Sequence, residues 1–304
     1  MKKKSLSLLL IVTLILTFSL SLLAGCSAQS KGPEGKTFTD TLGREIKFDA
    51  YPQKIVSVAP AITEILFAIG LDSQIVGVSD YCDYPEQAQT KEKMGGFSTP
   101  NVEKIASLEP NMVFISAGVQ EDTIKKLEDL GITVVVLDAD TVEQVMSNID
   151  LAGELTGKQK EAAAIVKDMQ TRLDKVEEAI KDQPKPTVFI EIWDDPLMSA
   201  GSTSFVNNII EVAGGVNIAA DNTERYYNFS SEKLFEADPD YYIINTHSHA
   251  PADVKKRTGY DALSAVQNDK VIAVDDNLIS RAGPRVISGV EEMAKVLHPD
   301  AFSK

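Results

Sequence analysis

The chain has 304 residues, 43% of them hydrophobic, and a formal net charge of -15 at pH 7. A chain this acidic is a poor nucleic-acid binder, because phosphate recognition needs clustered Lys and Arg. Its charge also disfavours docking of the protein body onto anionic lipid. The length favours two domains over one, since a single core rarely grows beyond about 250–300 residues.

The N-terminal segment has the pattern of a secretory signal. Lysines at positions 2–4 precede an almost unbroken apolar run over 6–23, and Leu-Ala-Gly then leads to Cys26. This pattern predicts a signal peptide over residues 1–25; an uncleaved membrane-spanning helix is the alternative, because about 20 apolar residues cross a bilayer. The ending resembles the lipobox of bacterial lipoproteins. The resemblance implies that Cys26 is lipidated and holds an extracytoplasmic protein at the cell membrane.

Small and polar residues fill positions 26–36, which predicts a flexible tether. With Cys26 lipidated, Cys82 is the remaining thiol of the sequence, and no intramolecular disulfide can form. We expect Cys82 to be a small buried side chain, with a reactive thiol as the alternative.

After the tether, short β-branched runs alternate with longer helical patterns, which predicts βαβ units and parallel sheets. The first predicted α/β lobe covers residues 37–140. Its strands are predicted at 54–58, 74–78, 112–115 and 132–137, and its helices at 60–69 and 121–130.

The segment 141–183 carries no strand signal and is predicted to be the helical connection between two lobes. Residues 158–182 contain neither Pro nor Gly, and their apolar residues recur every three or four positions. This spacing gives one apolar face of a long helix. A helix of about 25 residues is nearly 40 Å long, so we expect a single rigid connector.

Residues 184–304 form the second predicted lobe, with strands at 187–192, 241–244 and 270–274 and helices at 205–212 and 285–297. Residues 101–115 align without gaps with residues 230–244, sharing a Glu-Lys pair and a proline. This internal repeat predicts two similar lobes related by a pseudo-twofold axis, with chance similarity as the alternative. The fold class is therefore α/β, with two Rossmann-like lobes joined by one helix.

Enzyme motifs are missing from the sequence. It has no Gly-rich phosphate loop, no Gly-x-Ser-x-Gly elbow and no His-Glu-x-x-His pair. His247 and His249 are expected to be exposed, since a bare-metal site needs several converging ligands. We predict no catalytic residue, no metal and no cofactor. The alternative is an extracellular chelate-processing enzyme, for which His247 with Asp194 or Asp195 is the best titratable pair.

Aromatic residues cluster just after predicted strands in both halves. The carboxyl ends of parallel strands form the ligand crevice of α/β sheets, and rings there suit a flat or apolar ligand. Ordinary packing is the alternative for each ring taken alone. The residues concerned are Tyr81, Tyr84, Phe97, Trp193, Tyr226, Tyr227 and Phe229.

Several segments together resemble one class of ABC-importer binding proteins, the helical-backbone metal receptors that take cobalamin, ferric siderophores and haem. The segments are 60–64 (Pro-Ala-Ile-Thr-Glu), 83–88 (Asp-Tyr-Pro-Glu-Gln-Ala), 101–105 with Pro110, 214–217 (Gly-Gly-Val-Asn) and 280–285 (Ser-Arg-Ala-Gly-Pro-Arg). The first, second and last are most similar to cobalamin-binding members. The resemblance covers residues 36–297 and implies two lobes on a rigid helix.

The resemblance implies a monomer that captures a metal chelate, with a corrinoid as the first choice. It also implies that the protein delivers the chelate to two ABC permease subunits with their ATPases. A ferric siderophore or haem is the alternative ligand, for which Arg225, Arg281 and Arg285 could bind carboxylates or catecholates. A surface adhesion module is a further alternative, which the aromatic loops disfavour.

Ligand contacts are implied position by position. Tyr81, Phe97, Tyr226 and Arg281 fall where cobalamin-type members place them, and Asn277 stands where an acid is expected. Phe97 and Tyr226 replace family tryptophans. The predicted ligand-binding set is completed by three residues that follow strands of the second lobe, Trp193, Met198 and Tyr227. Ser116 is a further departure from the family, because it replaces a bulky ring.

Glu103 and Glu232 occupy the same point of the internal repeat. Each opens a predicted helix, where the helix dipole favours a carboxylate. The family resemblance implies a different role, in which each glutamate pairs with arginines of one permease subunit. Both are therefore predicted permease-docking residues.

Overall fold

The computed structural model describes Gly32 and residues 36–116, 121–246 and 250–303. The predicted signal peptide 1–25, Cys26 and most of the tether lie outside these residues, as do His247 and His249. No helix in the described part of the chain is long and apolar enough to cross a membrane.

The first lobe is built on a five-stranded parallel sheet in the order β5-β4-β3-β6-β7, preceded by a small antiparallel pair, β1 and β2. Its strands are β1 (Phe38–Thr39), β2 (Glu45–Ile46), β3 (Ile55–Ser57), β4 (Ile75–Val78), β5 (Glu92–Lys93), β6 (Met112–Ile115) and β7 (Thr133–Val136). Its helices are α1 (Pro60–Ala68), α2 (Val102–Ser107) and α3 (Glu121–Asp129).

Both faces of this sheet are covered, which explains why its strands are apolar runs rather than alternating ones. All four residues of β6 are buried. On one side Ile62 and Leu66 of α1 join the main core, and on the other Ile105 of α2 packs with Val113. The helix α1 begins at Pro60, whose fixed φ suits the first helical position.

Two helices connect the lobes. The predicted long helix is α5 (Gln159–Ile180), whose 22 residues span about 33 Å. It is preceded by α4 (Val142–Thr156), which occupies the part of the predicted helical connection before residue 158. Gly157 lies between them with a φ of 73°, a left-handed conformation that favours glycine.

The connector α5 is fixed along its length. Its buried residues Ala162, Met169 and Val176 recur every seven positions, so they form one stripe against the core. Arg172 adds a polar attachment, donating from Nη2 to Glu291 at 2.7 Å and to Ser288 at 2.8 Å.

The second lobe has a four-stranded parallel sheet in the order β11-β8-β13-β14 and a three-stranded antiparallel sheet in the order β12-β10-β9. Its strands are β8 (Thr187–Glu191), β9 (Trp193–Asp194), β10 (Leu197–Ala200), β11 (Val216–Asn217), β12 (Tyr226–Asn228), β13 (Tyr241–Asn245) and β14 (Val271–Val274). Its helices are α6 (Phe205–Val212), α7 (Ser231–Ala237), α8 (Pro251–Val254), α9 (Ser264–Gln267), α10 (Asp276–Ile279) and α11 (Val286–Leu297).

The internal repeat of the sequence is a repeat of structure. The order β4-β3-β6-β7 in the first lobe matches β11-β8-β13-β14 in the second. Each repeat unit is a short helix followed by a central strand. Even the turn between them is alike, since Glu109 and the matching Asp238 both have positive φ values, 50° and 40°. The predicted fold class, two parallel α/β lobes joined by a long helix, is confirmed.

The three-stranded sheet was not anticipated. Sequence patterns assigned Trp193 to a strand end and Tyr226 to a loop, whereas both lie in strands of this sheet. Strands of only two or three residues carry too little alternation to be recognised.

Candidate ligand-binding cleft

A cleft lies between the lobes, at the carboxyl ends of the parallel strands. The empty space inside it is about 1080 Å³, part of it open to solvent. Water-sized spheres can occupy about 340 Å³ of it, at the lower end of the roughly 300–1,000 Å³ typical of pockets for drug-sized ligands. The first lobe lines it with the start of α1 and the residues after β7, and the second with Tyr226 and residues 280–282.

Aromatic rings form opposite walls of the cleft. Tyr81 and Phe97 come from the first lobe and pack edge to face, with ring centroids 6.2 Å apart. Tyr226 comes from the second lobe. The three side chains are 60%, 39% and 41% exposed. Large rings left this exposed at a concave site are available to bury an apolar ligand face.

Local hydrogen bonds hold the rings of the first lobe. The loops carrying Tyr81 and Phe97 are tied where Asp80 N–H donates to Gly95 O at 2.9 Å and Gly95 N–H donates to Asp80 Oδ1 at 3.2 Å. These hydrogen bonds keep Phe97 beside Tyr81.

The position of Tyr226 depends on a close backbone approach. Gly201 N–H donates to the carbonyl of Arg225 at 3.0 Å. A Cβ atom at Gly201 would lie 2.1 Å from the carbonyl oxygen of Glu224, so only glycine fits there. This contact fixes the start of β12, where Tyr226 projects into the cleft.

Arg225 closes one edge of the cleft. Its Nη2 lies 2.5 Å from Asp140 Oδ1 and 3.5 Å from Asp138 Oδ2. The two aspartates follow β7 of the first lobe, so this ion pair joins the lobes. The side chains are partly exposed, which limits the strength of the contact.

A second, more buried ion cluster joins the lobes at Arg281, which also lines the cleft. Arg281 Nη1 donates to Asp83 Oδ1 at 2.5 Å and to Glu64 Oε1 at 3.4 Å. Arg285 makes a bidentate pair with Glu64, at 2.8 and 2.6 Å, and its guanidinium carbon lies 4.0 Å from the Tyr84 ring centroid. The hydrogen bond from Arg281 lowers the pKa of Asp83.

The cleft is therefore balanced in charge. Among the described residues that line it, the charged side chains are Arg225, Arg281, Asp138 and Asp140. Both arginines are already paired with carboxylates of this chain. Neutral polar groups complete the wall, including Ser116 and Asn148, whose amide donates to the Asp138 carbonyl at 2.9 Å.

The structure brings together part of the predicted ligand-binding set. Tyr81, Phe97, Tyr226 and Arg281 line the cleft, as does Ser116. Four other predicted residues are not among its lining residues: Trp193, Met198, Tyr227 and Asn277.

Three of these four make side-chain hydrogen bonds within the chain. The Trp193 indole N–H donates to the Asp195 carbonyl at 2.9 Å. Tyr227 donates its hydroxyl to the Ala219 carbonyl at 2.9 Å, and burial, together with nearby Asp221, raises its pKa to about 12. The Asn277 amide donates to Asp275 Oδ1 at 3.1 Å, at the cap of α10.

The acids that hold the cleft arginines were missed by the sequence reasoning. They are Glu64, Asp83, Asp138 and Asp140. Glu64 could have been recognised from the sequence, because it interrupts the apolar side of α1. A charge in that position needs a partner of opposite charge. The two aspartates after β7 gave no such signal.

The predicted docking glutamates occupy matched places. Glu103 and Glu232 are exposed in the first turns of α2 and α7. The caps of these helices are already filled by other side chains, Asn101 accepting from Lys104 N–H at 2.9 Å and Ser230 accepting from Glu232 N–H at 3.2 Å.

The lysine after each glutamate turns back to its own lobe. Lys104 pairs with Glu92 at 2.6 Å and Lys233 pairs with Asp221 at 3.0 Å. Within the described residues, neither Glu103 nor Glu232 forms an ion pair. Both carboxylates therefore remain available to an external cation.

The other groups considered for chemistry are a metal site, the Cys82 thiol and His247. The described residues hold no group of three or more His, Cys, Asp or Glu side chains that could bind a metal ion. Cys82 is buried, with Sγ 3.1 Å from the hydroxyls of Thr63 and Ser79. His247, with which Asp194 or Asp195 was considered as a titratable pair, lies outside the described residues.

Comparison with known proteins agrees with this architecture. A family model described as periplasmic binding protein matches residues 55–278. An uncharacterized ABC transporter substrate-binding lipoprotein of Bacillus subtilis, YvrC, is 35% identical over 302 aligned positions, which cover 93% of this chain and 95% of that protein. A vitamin B12-binding protein of Vibrio cholerae is 30% identical over 247 positions, covering 81% of this chain and 89% of the relative.

The fold of this chain is also similar to that of the periplasmic vitamin B12 binding protein BtuF of Vibrio cholerae. Its crystal structure matches with a TM-score of 0.74 and 28% identity, covering 83% of this chain and 99% of that one. The match thus extends over both lobes and the connecting helices. The chain belongs to the periplasmic binding protein family.

Proposed function

We propose that this chain is the lipid-anchored, extracytoplasmic substrate-binding protein of an ABC importer and that its cargo is a corrinoid such as cobalamin. The observation that carries the proposal is the cleft itself, which is lined by exposed rings on both walls and balanced in charge. Relatives named as vitamin B12-binding proteins support the choice of ligand.

The pairing of the cleft arginines favours a corrinoid over the anionic chelates. Haem carries propionates, and catecholate siderophores carry several negative charges. Burying such groups requires cations that are free to pair with them. Arg225 and Arg281 are instead held by Asp140 and Asp83. A corrinoid presents mainly uncharged amides around a flat apolar ring, which suits neutral polar groups between aromatic walls.

The proposed role is capture without chemistry. Aromatic contact area and neutral hydrogen-bonding groups bind a ligand, whereas proton transfer needs a titratable group poised near the working pH. The carboxylates at the cleft are engaged with arginines, and Asp83 has its pKa lowered further by Arg281. We therefore assign binding of the cargo to the cleft, with no catalytic step and no metal or cofactor beyond the cargo.

Delivery is assigned to Glu103 and Glu232. Their exposure, their matched places and their lack of partners within the described residues fit a surface with one acidic contact on each lobe. The proposed partner is a permease of two subunits, each presenting arginines to one lobe. Charges at such a rim chiefly set the docking orientation and the association rate.

Anchoring is assigned to Cys26 through the signal that precedes it. Replacing it, as Cys26→Ala, should abolish labelling by a palmitate analogue and release the protein from the membrane fraction. A variant that is labelled and fractionates like the wild type would contradict the anchor and leave the ligand proposal untouched.

A titration of the chain from residue 27 onward tests the ligand. We expect cobalamin to bind in calorimetry with a dissociation constant below about 1 μM, with a shift of the corrinoid absorption bands. Haem, a ferric catecholate and a ferric hydroxamate serve as controls and should bind at least tenfold more weakly. Strong binding of a ferric chelate with no heat from cobalamin would overturn the corrinoid proposal.

A further inference from the structure

The loop of residues 80–88, which follows β4, carries two residues of the site on little packing of its own. Tyr81 lines the cleft, and Asp83 pairs with an arginine of the second lobe. Both side chains are exposed, and the buried residues of the loop are Cys82 and Ala88. A segment with so few buried anchors opens readily unless hydrogen bonds tie it to the rest of the lobe.

One ammonium group supplies such ties. Lys93 Nζ donates to the carbonyl of Cys82 at 3.0 Å. It also donates to the carbonyls of Ser79 and Ala88, each at 3.5 Å. Ser79 directly precedes the loop and Ala88 ends it, so the lysine spans the loop and contacts the backbone of both buried anchors.

Lys93 is itself held by the sheet. It lies in β5 opposite Val78 of β4, and its own carbonyl accepts from Lys104 Nζ at 2.6 Å. Its side chain is half-buried and, within the described part of the chain, forms no ion pair with a carboxylate. A partly buried charge needs polar partners, and for this ammonium the carbonyls of the loop are those partners.

The neighbouring lysine on the same segment makes different contacts. Lys91 Nζ pairs with Asp72 at 2.6 Å and lies 5.7 Å from the centroid of the Phe67 ring. Phe67 belongs to α1 and Asp72 follows that helix. The Lys91 side chain therefore binds another part of the lobe and provides a matched control for Lys93.

We propose that Lys93 is a positioning residue of the cleft, whose ammonium holds the loop in the shape that presents Tyr81 to the ligand and Asp83 to Arg281. Lys93 is not among the lining residues, so it acts through the loop. Hydrogen bonds from a charged donor are stronger than neutral ones. A loop that is ordered in advance spares the ligand the entropy of ordering it. The effect on ligand affinity rests on the proposed function, whereas the order of the loop does not.

Cys82 reports on the loop without any ligand. In the chain from residue 27 onward it is the remaining thiol, and its Sγ is buried against Thr63 and Ser79. Lys93→Met keeps an aliphatic stem and removes the ammonium, so a chromogenic disulfide reagent should label the thiol about tenfold faster. Lys93→Arg restores a charged donor and should label close to the wild-type rate, as should Lys91→Met.

Hydrogen exchange followed by mass spectrometry separates a local effect from a global one. In Lys93→Met the amides of residues 80–88 should exchange faster, and those of the central strands β3 and β6 should exchange as in the wild type.

Cobalamin titrations test whether the loop acts through Tyr81. Lys93→Met should weaken binding about fivefold, because the ligand must then order the loop. When Tyr81→Ala is also present, the same change should weaken binding less than about twofold, because the ring that the loop positions is already missing.

Equal losses with and without Tyr81→Ala, or faster exchange throughout the lobe, would show that Lys93 only stabilises the fold and would overturn the inference. Unchanged labelling of Cys82 in Lys93→Met, or unchanged affinity where the wild type binds cobalamin, would overturn it as well. If the wild type binds no corrinoid, the proposed function fails. The labelling and exchange of the loop then decide the positioning role by themselves.

Discussion

The two lobes repeat the same strand order, yet they bring opposite charges to the cleft. In every ion pair between the lobes among the described residues, the first lobe supplies the acid and the second the arginine. The outward-facing glutamates of α2 and α7, by contrast, are repeated. The repeat has been retained where the surface faces outward and has diverged where the lobes face each other.

The two edges of the cleft also differ from each other. At one edge the Glu64 side chain is only 2% exposed and is shared by Arg281 and Arg285. At the other, Arg225 and Asp140 are 51% and 43% exposed. A buried cluster leaves uncompensated charges when one member is removed, whereas an exposed pair is screened by water. The first edge should therefore hold the lobes together, and the second should chiefly tune the cleft.

The largest expected effect is at the buried edge. Glu64→Gln removes the carboxylate and leaves two arginines without their buried partner, so the free energy of unfolding should fall by about 3–5 kcal/mol. Urea denaturation followed by circular dichroism measures this. As a control, Asp140→Asn should cost less than about 1 kcal/mol. If the two variants lose similar stability, the edges do not differ as argued.

The next effect concerns the repeated glutamates. Glu103→Ala combined with Glu232→Ala should lower stimulation of the permease ATPase about tenfold, equivalent to roughly 1.4 kcal/mol of docking energy. Each single change should lower it less, because one lobe still docks. Corrinoid affinity should stay unchanged, since neither residue lines the cleft.

Glu177→Ala provides the matched control, because Glu177 is exposed on the connector α5. It should leave both corrinoid affinity and ATPase stimulation at wild-type values. Normal stimulation by the double variant would place the docking surface elsewhere. Loss of corrinoid binding by the double variant would instead make the glutamates site residues.

Much of the fold was predictable because it is carried by long, regular signals. The connector α5 shows a helical period over 22 residues, and the central strands are buried apolar runs. The ion pairs across the cleft could not be predicted. Asp140 and Arg225 are 85 positions apart, and no local pattern of either residue records that they meet.

The candidate site, too, was predictable where it depends on local sequence patterns and unpredictable where it depends on tertiary contacts. Rings after strand ends were recognisable, because parallel strands gather their carboxyl ends at one edge. Which rings face the cleft depends on the register of strands only two to four residues long. Tyr226 and Tyr227 are neighbours in sequence, yet one lines the cleft and the other is held by Ala219 and Asp221.

A smaller effect is expected from freeing Arg225 at the exposed edge. Asp138→Asn combined with Asp140→Asn leaves the guanidinium without its carboxylates, so haem affinity should rise by about two- to fivefold, the scale of a partly exposed charge contact. Absorption titration measures this. Asp129→Asn with Asp174→Asn, which changes the net charge equally at exposed sites, should not change haem affinity. A similar gain in that control would show that net charge, rather than Arg225, sets selectivity.

The smallest expected effect is the pH dependence of Asp83, at the margin of the buried edge. The hydrogen bond from Arg281 lowers the pKa of Asp83 in the folded protein. A lowered folded pKa means that the stabilising charge is fully present above the unfolded pKa, about 3.9 for aspartate. It is lost as the pH falls through the lowered folded value. The side chain is 58% exposed, so water screens the contact.

Asp83→Asn removes this contribution at every pH. The wild type should exceed the variant in unfolding free energy by a constant amount, below about 1 kcal/mol, between about pH 5 and 7. The difference should shrink as the pH falls below about 4, because the wild-type carboxylate is then protonated as well. Urea denaturation at pH 3–7 measures both curves, and added salt should narrow the gap at neutral pH. Curves that stay parallel down to pH 3, or diverge there, would show that Arg281 stabilises the protein without the charge of Asp83.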